Sequence, residues 1–393
     1  MLMILKKINK FIFRAEIHQS GVFPALLTPF DSNDKINEKA LADLIELNIK
    51  KNVTGFYVCG STAEVFMLSP DERKYLMKLV KEIAGDRCTL ICHVGAISTK
   101  DAKEYAKLSQ KLGYDAVSAV APFYYKFSFD EIKRYYYDIV SDTELPMIIY
   151  NFPNFSGVNL TSDNIGEFLN DERFIGLKHT SNDYFALERI KNKFPDKVVY
   201  NGFDEMFLAG IFMGADGGIG STYNFMAEKF IKIRKLAGEG KLAEAQKIQN
   251  EANAVIEALV KVGVMQGEKA VLTALGMDFG YARAPFARPS DEKVKQALDV
   301  IMPLIDLNSG GCHEKNFCVF ADIFDTCGNL YGGRTGNGIY SFNRSICPSA
   351  RQDRGCFCRK EHEFLGVGNF FLLYRNEGGN TCFAGHPQHL IGI

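Results

Sequence analysis

Residues 146–181 read PMIIYNFPNFSGVNLTSDNIGEFLNDERFIGLKHTS. The two ends of this stretch, 146–153 and 174–181, are apolar runs without the alternation of a half-exposed strand, which is the pattern of short strands covered on both faces. One run carries Tyr150 near its end and the other carries Lys178. A lysine on a buried strand is costly unless its ammonium is paired or neutral, so burial drives its pKa down. A neutral amine is a nucleophile toward carbonyl carbon, and a nearby phenol can move the protons. The plainer alternative is a lysine at a strand end with its amine in water.

Six further runs of the same kind occur at 21–30, 55–61, 89–95, 116–123, 198–204 and 217–222. The stretches between them carry helix signals. Ser69-Pro70-Asp71-Glu72 offers an N-cap serine, a proline at the first helical position and acids in the first turn. Ser128-Phe129-Asp130-Glu131 is a second capping-box pattern. Leu41, Leu44, Ile45 and Ile49 recur at helical spacing and define one apolar face. Eight strand–helix units in about 200 residues predict an α/β fold of the (β/α)8 TIM barrel kind. No GxGxxG opens a helix after the first run, so an open dinucleotide-binding sheet gains no support. Beyond the eighth run, residues 226–305 show only helical patterns and read as the last barrel helix plus a C-terminal helical extension.

The 393 residues are 47% hydrophobic and 24% charged, with a formal net charge of -1. That balance, without a basic stripe interleaved with aromatics, argues against a nucleic-acid footprint. No apolar run reaches the roughly 18 residues of a bilayer span, so no membrane partner is expected. Residues 1–20 mix apolar and basic side chains, but Lys6, Lys7 and Lys10 interrupt the apolar core that a signal peptide needs. They read as an N-terminal extension, and a cytoplasmic protein is expected. Cys59, Cys88 and Cys92 are the only cysteines before residue 300, and the other seven follow residue 306. The asymmetry marks a boundary: 21–305 is the barrel with its helices, and 306–393 is a Cys/Gly-rich tail, non-native or loosely ordered. Cys356, Cys358 and His362, with Cys382, His386 and His389, raise zinc as an alternative. Their spacings match no CxxC pair and the odd cysteine count fits no tidy site, so no metal is expected.

In a (β/α)8 barrel the chemistry sits at the C-terminal ends of the strands, so polar residues closing the apolar runs are the candidates. They are Ser61, Thr62, Tyr150, Lys178, Thr180, Gly202, Asp204, Glu205 and Ser221. Singly, each has a structural explanation, since hydroxyls cap helices and acids begin them. Their joint occurrence on five strand ends points to one site. The GSTAE of 60–64 offers adjacent hydroxyls and backbone N–H groups, a seat for a carboxylate. The GGIGST of 217–222 lets a ligand approach the backbone closely, with a phosphate-binding loop as the alternative.

GSTAE (60–64), AVAPFYY (119–125), IIYNFP (148–153), GLKHTS (176–181), YNGFDE (200–205) and GADGGIGSTYN (214–224) occur in this order and spacing. Together they resemble the N-acetylneuraminate lyases, the sialic acid aldolases of the dihydrodipicolinate synthase superfamily of class I, Schiff-base enzymes. The resemblance covers about 21–305 and leaves out the tail. It implies that Lys178 forms the Schiff base with C2 of a 2-keto acid and that Tyr150 relays protons at the C4 hydroxyl. It places Ser61 and Thr62 on the substrate carboxylate and Thr180 in the same pocket. Gly202, Asp204, Glu205 and Ser221 match the positions that hold the sugar's hydroxyl-bearing tail. Tyr124 matches a tyrosine that crosses from a neighbouring subunit, in a homotetramer that uses a sugar acid and pyruvate without metal or organic cofactor.

Two departures bear on activity. Dihydrodipicolinate synthases carry an arginine where this chain has Phe155, so a second substrate carboxylate lacks an obvious partner and the lyase is favoured over the synthase. The family's GSTGE has Ala63 in place of its second glycine. If φ there is positive, alanine costs about 1–2 kcal/mol and displaces the Ser61–Thr62 pair, whereas at negative φ the change is nearly silent. A related pyruvate-dependent lyase or synthase, acting on a 2-keto-3-deoxy sugar acid or another aldehyde, stays open as an alternative. So does a catalytically weakened barrel that binds sugar acids without turnover.

Overall fold

The structure is a computed structural model and describes residues 20–158, 160–305, 372–375 and 381–384. Eight parallel strands are present in the first unit: β1 (Val22–Pro24), β2 (Gly55–Val58), β3 (Thr89–His93), β4 (Ala116–Val120), β5 (Met147–Asn151), β6 (Phe174–His179), β7 (Val198–Asn201) and β8 (Gly217–Gly220). Each lies inside one of the eight apolar runs. They are ordered β1-β8-β7-β6-β5-β4-β3-β2. The remaining gap is bridged where Ala25 meets Tyr57, with Leu26 N–H donating to the Tyr57 carbonyl at 2.9 Å. The result is the (β/α)8 barrel.

The connectors are α1 (Glu38–Lys50), α2 (Pro70–Ala84), α3 (Thr99–Leu112), α4 (Phe129–Ser141), the one-turn α5 (Pro153–Ser156) and α6 (Gly166–Leu169), α7 (Tyr184–Lys193), α8 (Phe207–Phe212) and α9 (Tyr223–Gly238). The extension is α10 (Leu242–Val262), α11 (Val264–Ala274) and α12 (Asp291–Ile301). Both expected capping boxes form: Ser69 and Glu72 at α2, and Ser128 and Glu131 at α4, each exchange side-chain and backbone hydrogen bonds. On α1 the predicted stripe is the buried one, with Leu41, Leu44 and Ile45 inside. Between β5 and β6 the chain makes two single turns instead of one helix, because Pro153 starts α5 and Gly157, at φ 68°, stops it after four residues.

Two apolar clusters hold the barrel. The larger fills the space between strands and helices. The smaller lines the barrel interior with Phe23, Tyr57, Ile91, Ile148, Tyr150, Tyr200 and Ile219, among others. In-register neighbours on parallel strands share a face. Tyr150 pairs with Lys178 across β5 and β6, and Lys178 with Tyr200 across β6 and β7. That register turns all three toward the interior and sends Asn151, His179 and Asn201 outward. No helix among the described residues is long and apolar enough to cross a membrane.

The second unit, 331–393, is described only by β9 (Leu372–Arg375) and β10 (Thr381–Ala384), an antiparallel pair with Thr381 opposite Arg375. Four-residue strands are too short to declare a period of 2, which is why the tail read as patternless. The rest of the Cys/Gly-rich tail lies outside the described residues, as do Cys356, Cys358, His362, His386, His389 and residues 1–19.

Candidate active site

Lys178 stands near the C-terminal end of β6 and is only 5% exposed. Its Nζ lies 4.2 Å from the centre of the Tyr150 ring and 4.7 Å from that of Tyr57. Ring faces attract a cation, but two rings do not replace a hydration shell. Burial pushes the amine down to about 7, and the pull of the Asp204 carboxylate offsets this only in part. Asp204 is itself pushed up to about 6 by burial, against the hydrogen bonds from Thr222 and the attraction of Lys178. Tyr150 rises to about 12 by burial, opposed by the hydroxyls of Thr180 and Ser61 beside it. Near neutral pH the site therefore holds an amine with a substantial neutral fraction next to a protonated phenol.

The surrounding groups come from the other strand ends. Ser61 and Thr62 open a 3-10 turn, Ser61–Ala63, directly after β2. The first N–H groups of such a turn have no partner within it and remain available to an acceptor. Thr180 follows β6 and is buried, with its Oγ1 unpartnered. Gly202 lets β7 pass against it, because a Cβ there would lie 1.9 Å from Thr180 Oγ1. Asp204 Oδ2 accepts from Thr222 twice, from the backbone N–H at 2.9 Å and from Oγ1–H at 2.7 Å. Its other oxygen abuts Gly220, where a Cβ would sit 1.8 Å away. The glycines of 217–220 thus lie in a buried strand, in which Gly220 makes room for Asp204 while Gly217 and Gly218 pack closely against Gly21 and against Tyr223 and Phe207. Glu205 is exposed and Ser221 half-buried, following β7 and β8 respectively.

Ala63 has no strain of the kind considered from sequence, since it is not among the residues at positive φ. The left-handed positions are Cys59, at φ 58°, and Glu64, at φ 56°. They bracket the turn, while the Ala63 methyl is buried and its carbonyl accepts from Thr28 Oγ1–H at 2.9 Å. Tyr124 lies away from this cluster of buried groups, 85% exposed at φ 78°.

Three groups near the site escaped the sequence reading. Tyr57, whose ring faces the Lys178 amine, sits mid-run on β2, where an aromatic is indistinguishable from core. Glu64 closes GSTAE as a fully buried acid: Lys269 Nζ lies 2.5 Å from its Oε1, and the Arg283 backbone N–H donates to its Oε2 at 2.7 Å. Arg283 in turn forks onto Glu72, with Nη1 at 3.0 Å and Nη2 at 2.5 Å. Helix α11 and the segment between α11 and α12 thereby hold the turn that presents Ser61 and Thr62. The third is Glu268, buried on α11. A visible signal existed for the two α11 residues, since Glu268 and Lys269 are the charged residues of that helix and adjoin its apolar positions.

Residues 18–303 match the model of the dihydrodipicolinate synthetase family. An N-acetylneuraminate lyase of Rhizobium meliloti is 42% identical over 286 residues, 72% of this chain and 95% of the relative. The N-acetylneuraminate lyase of Fusobacterium nucleatum superposes with a TM-score of 0.71 at 41% identity, covering 74% of this chain and all of the other. The Clostridium difficile protein CdNal, solved with mannosamine, has a TM-score of 0.71 at 40% identity, covering 73% and 99%. Likeness over the barrel and its helical extension, with the strand-end lysine and tyrosine inside the matched region, makes this chain a member of the dihydrodipicolinate synthetase family.

Proposed function

We propose that this protein is a class I aldolase, a carbon–carbon lyase that splits N-acetylneuraminate into N-acetylmannosamine and pyruvate. The observation that carries the reading is the buried Lys178 amine, titrating near 7 beside the Tyr150 phenol. The likeness to N-acetylneuraminate lyases supports the substrate. A relative solved with pyruvate supports the keto-acid end.

Lys178 Nζ adds to C2 of the open-chain keto acid, and loss of water leaves an iminium. Ser61 and Thr62 hold the substrate carboxylate, with Thr180 beside it. Tyr150 takes the proton of the C4 hydroxyl as C3–C4 breaks, and the bonding pair flows into the iminium to give an enamine. The aldose departs, C3 is protonated and water releases pyruvate from the lysine. A phenol near 12 is a poor base in the free enzyme, but the iminium places a positive charge beside its ring and favours the phenolate. Gly202, Asp204, Glu205 and Ser221 receive the polyhydroxyl chain. Phe155 offers no cation, which disfavours an aldehyde bearing a second carboxylate. Exposed Tyr124, with Tyr125 and Phe66 also exposed, supports a homotetramer in which this tyrosine meets a neighbouring subunit's site. The same reading makes the enzyme cytoplasmic, with neither metal nor organic cofactor.

The test is a panel assay of pyruvate release from N-acetylneuraminate and from shorter 2-keto-3-deoxy sugar acids. Pyruvate from the shorter acids and none from N-acetylneuraminate would move the protein to the related lyases. No pyruvate from any of them would favour a binding barrel.

The lysine also sets the pH profile. Below its pKa the amine is protonated and cannot attack, so the rate of borohydride-trapped pyruvate adduct formation falls by about tenfold per unit below pH 7. Asp204, near 6, gains its own proton over the same range and stops stabilising the ammonium, so the slope belongs to the pair and is shallower at the acid end. A rate that stays flat from about pH 5 to pH 8 is incompatible with an amine held near 7.

A further inference from the structure

Tyr57 stands on β2, four strands from β6 in a barrel of eight, so it and Lys178 face each other across the interior. Its side chain is fully buried. Lys178 Nζ lies over its ring, 4.7 Å from the centre, and over the Tyr150 ring at 4.2 Å. The two rings are nearly perpendicular, at 82° with centres 6.1 Å apart. The amine therefore sits in a corner made by two aromatic faces. That corner is held from behind. Tyr57 O–H donates to Ser118 Oγ at 3.0 Å, and the His93 ring packs against both tyrosines with centres 6.0 Å from each. His93 Nε2 accepts from the Val120 N–H at 3.2 Å. Its proton is therefore on Nδ1, 3.0 Å from the Cys59 carbonyl, and the imidazole adds no charge to the corner.

The face of an aromatic ring attracts a cation, most strongly where water is excluded, and gains little from a neutral amine. Schiff-base formation converts one into the other. Nζ bonds to C2, and the C2 oxygen leaves as water with one amine proton and one proton from the medium, so a neutral amine becomes an iminium. Tyr150 gives and takes a proton during the cycle, whereas the Tyr57 phenol is committed to Ser118 and keeps its own. We infer that Tyr57 is a further catalytic residue: its ring face, in contact with the reacting nitrogen, stabilises the Lys178 iminium. This rests on the Schiff-base reading of Lys178.

The experiment measures the Kd of the full-length protein for pyruvate by calorimetry at about pH 8. There the amine, near 7, is mostly neutral before binding, so the iminium is the cation that binding creates. Borohydride trapping with peptide mapping checks the adduct on Lys178, and thermal melting checks the fold. Tyr57→Phe keeps the ring and is expected to hold Kd within about twofold. Tyr57→Leu keeps apolar bulk without a π face and is expected to raise Kd by about tenfold. Trifluorinated and pentafluorinated phenylalanine at position 57 keep the ring's shape while weakening and then reversing the potential of its face, so Kd rises at each step. This series decides the matter if the Leu variant does not fold. A ring that only fills space leaves Kd flat across the series, and that result, or an unchanged Kd in a folded Tyr57→Leu, overturns the inference. A rise in Tyr57→Phe as large as in Tyr57→Leu would place the effect in the hydroxyl and overturn it as well. If the unaltered protein traps no pyruvate on Lys178, the Schiff-base reading fails and the inference with it. A trapped adduct with a flat series removes Tyr57 alone.

Discussion

Lys178→Met is expected to reduce pyruvate release from N-acetylneuraminate by at least about 10^4-fold without unfolding the barrel. The size follows from the loss of the electron sink: without an iminium, the carbanion at C3 has nowhere to place its charge. Methionine suits the site sterically, being unbranched and of similar length, and it removes an amine that burial had already pushed toward neutrality. The variant should therefore melt no lower than the starting protein. Its Asp204, deprived of the nearby ammonium, should titrate higher than about 6. Activity, thermal melting and the mass of the borohydride-trapped adduct check this together. Residual turnover above about one per cent, or an adduct on another lysine, would remove Lys178 from the mechanism.

Lys269→Met has the largest expected effect on stability. The pair it forms with Glu64 is shut away from water, with the two side chains 1% and 0% exposed. Removing one partner leaves a buried carboxylate beside only the Arg283 N–H, a loss of about 3–5 kcal/mol. At about 2–4 °C per kcal/mol, the melting temperature should fall by about 6–20 °C. The damage should also reach the site, because Glu64 sits in a left-handed conformation and ends the turn that presents Ser61 and Thr62. A rise in the KM for pyruvate exchange is expected with the fall in melting temperature. Glu64→Gln/Lys269→Met keeps an acceptor for the Arg283 N–H and removes the orphaned charge, so it should recover much of the stability. If the single variant melts within about 2 °C of the starting protein, the pair does not anchor the turn.

The barrel was legible because its evidence is repeated. Eight apolar runs and well-formed helix starts such as Ser69 and Ser128 each announce one unit, and an irregular connector, as at Pro153–Gly157, leaves the count intact. The strand-end positions were legible for the same reason: once the runs are strands, the residues closing them share one mouth. The Gly217–Gly220 run was ambiguous between ligand approach and close packing, and the packed structure shows the packing: a Cβ would lie 1.9 Å from Gly21 O at Gly217 and 1.8 Å from Asp204 Oδ1 at Gly220. Ala63 was ambiguous because φ is a property of the folded turn, where Cys59 and Glu64 take the left-handed positions.

The sequence by itself determined the fold class, the strand ends and the residue types gathered there, since those follow from local periodicity and chain order. Only the tertiary structure decided the surroundings of Lys178. A lysine on an apolar strand is equally compatible with an amine in water or an amine against Tyr150. Its register with Tyr150 on β5 and the Tyr57 ring facing its amine leave it buried, and that burial, offset only in part by the Asp204 carboxylate, brings it to about 7. The same holds for Glu64 and Lys269, which meet although they come from distant parts of the chain. Desolvation and pairing between residues far apart in the chain are sums over the packed neighbourhood, and no local stretch of sequence contains them.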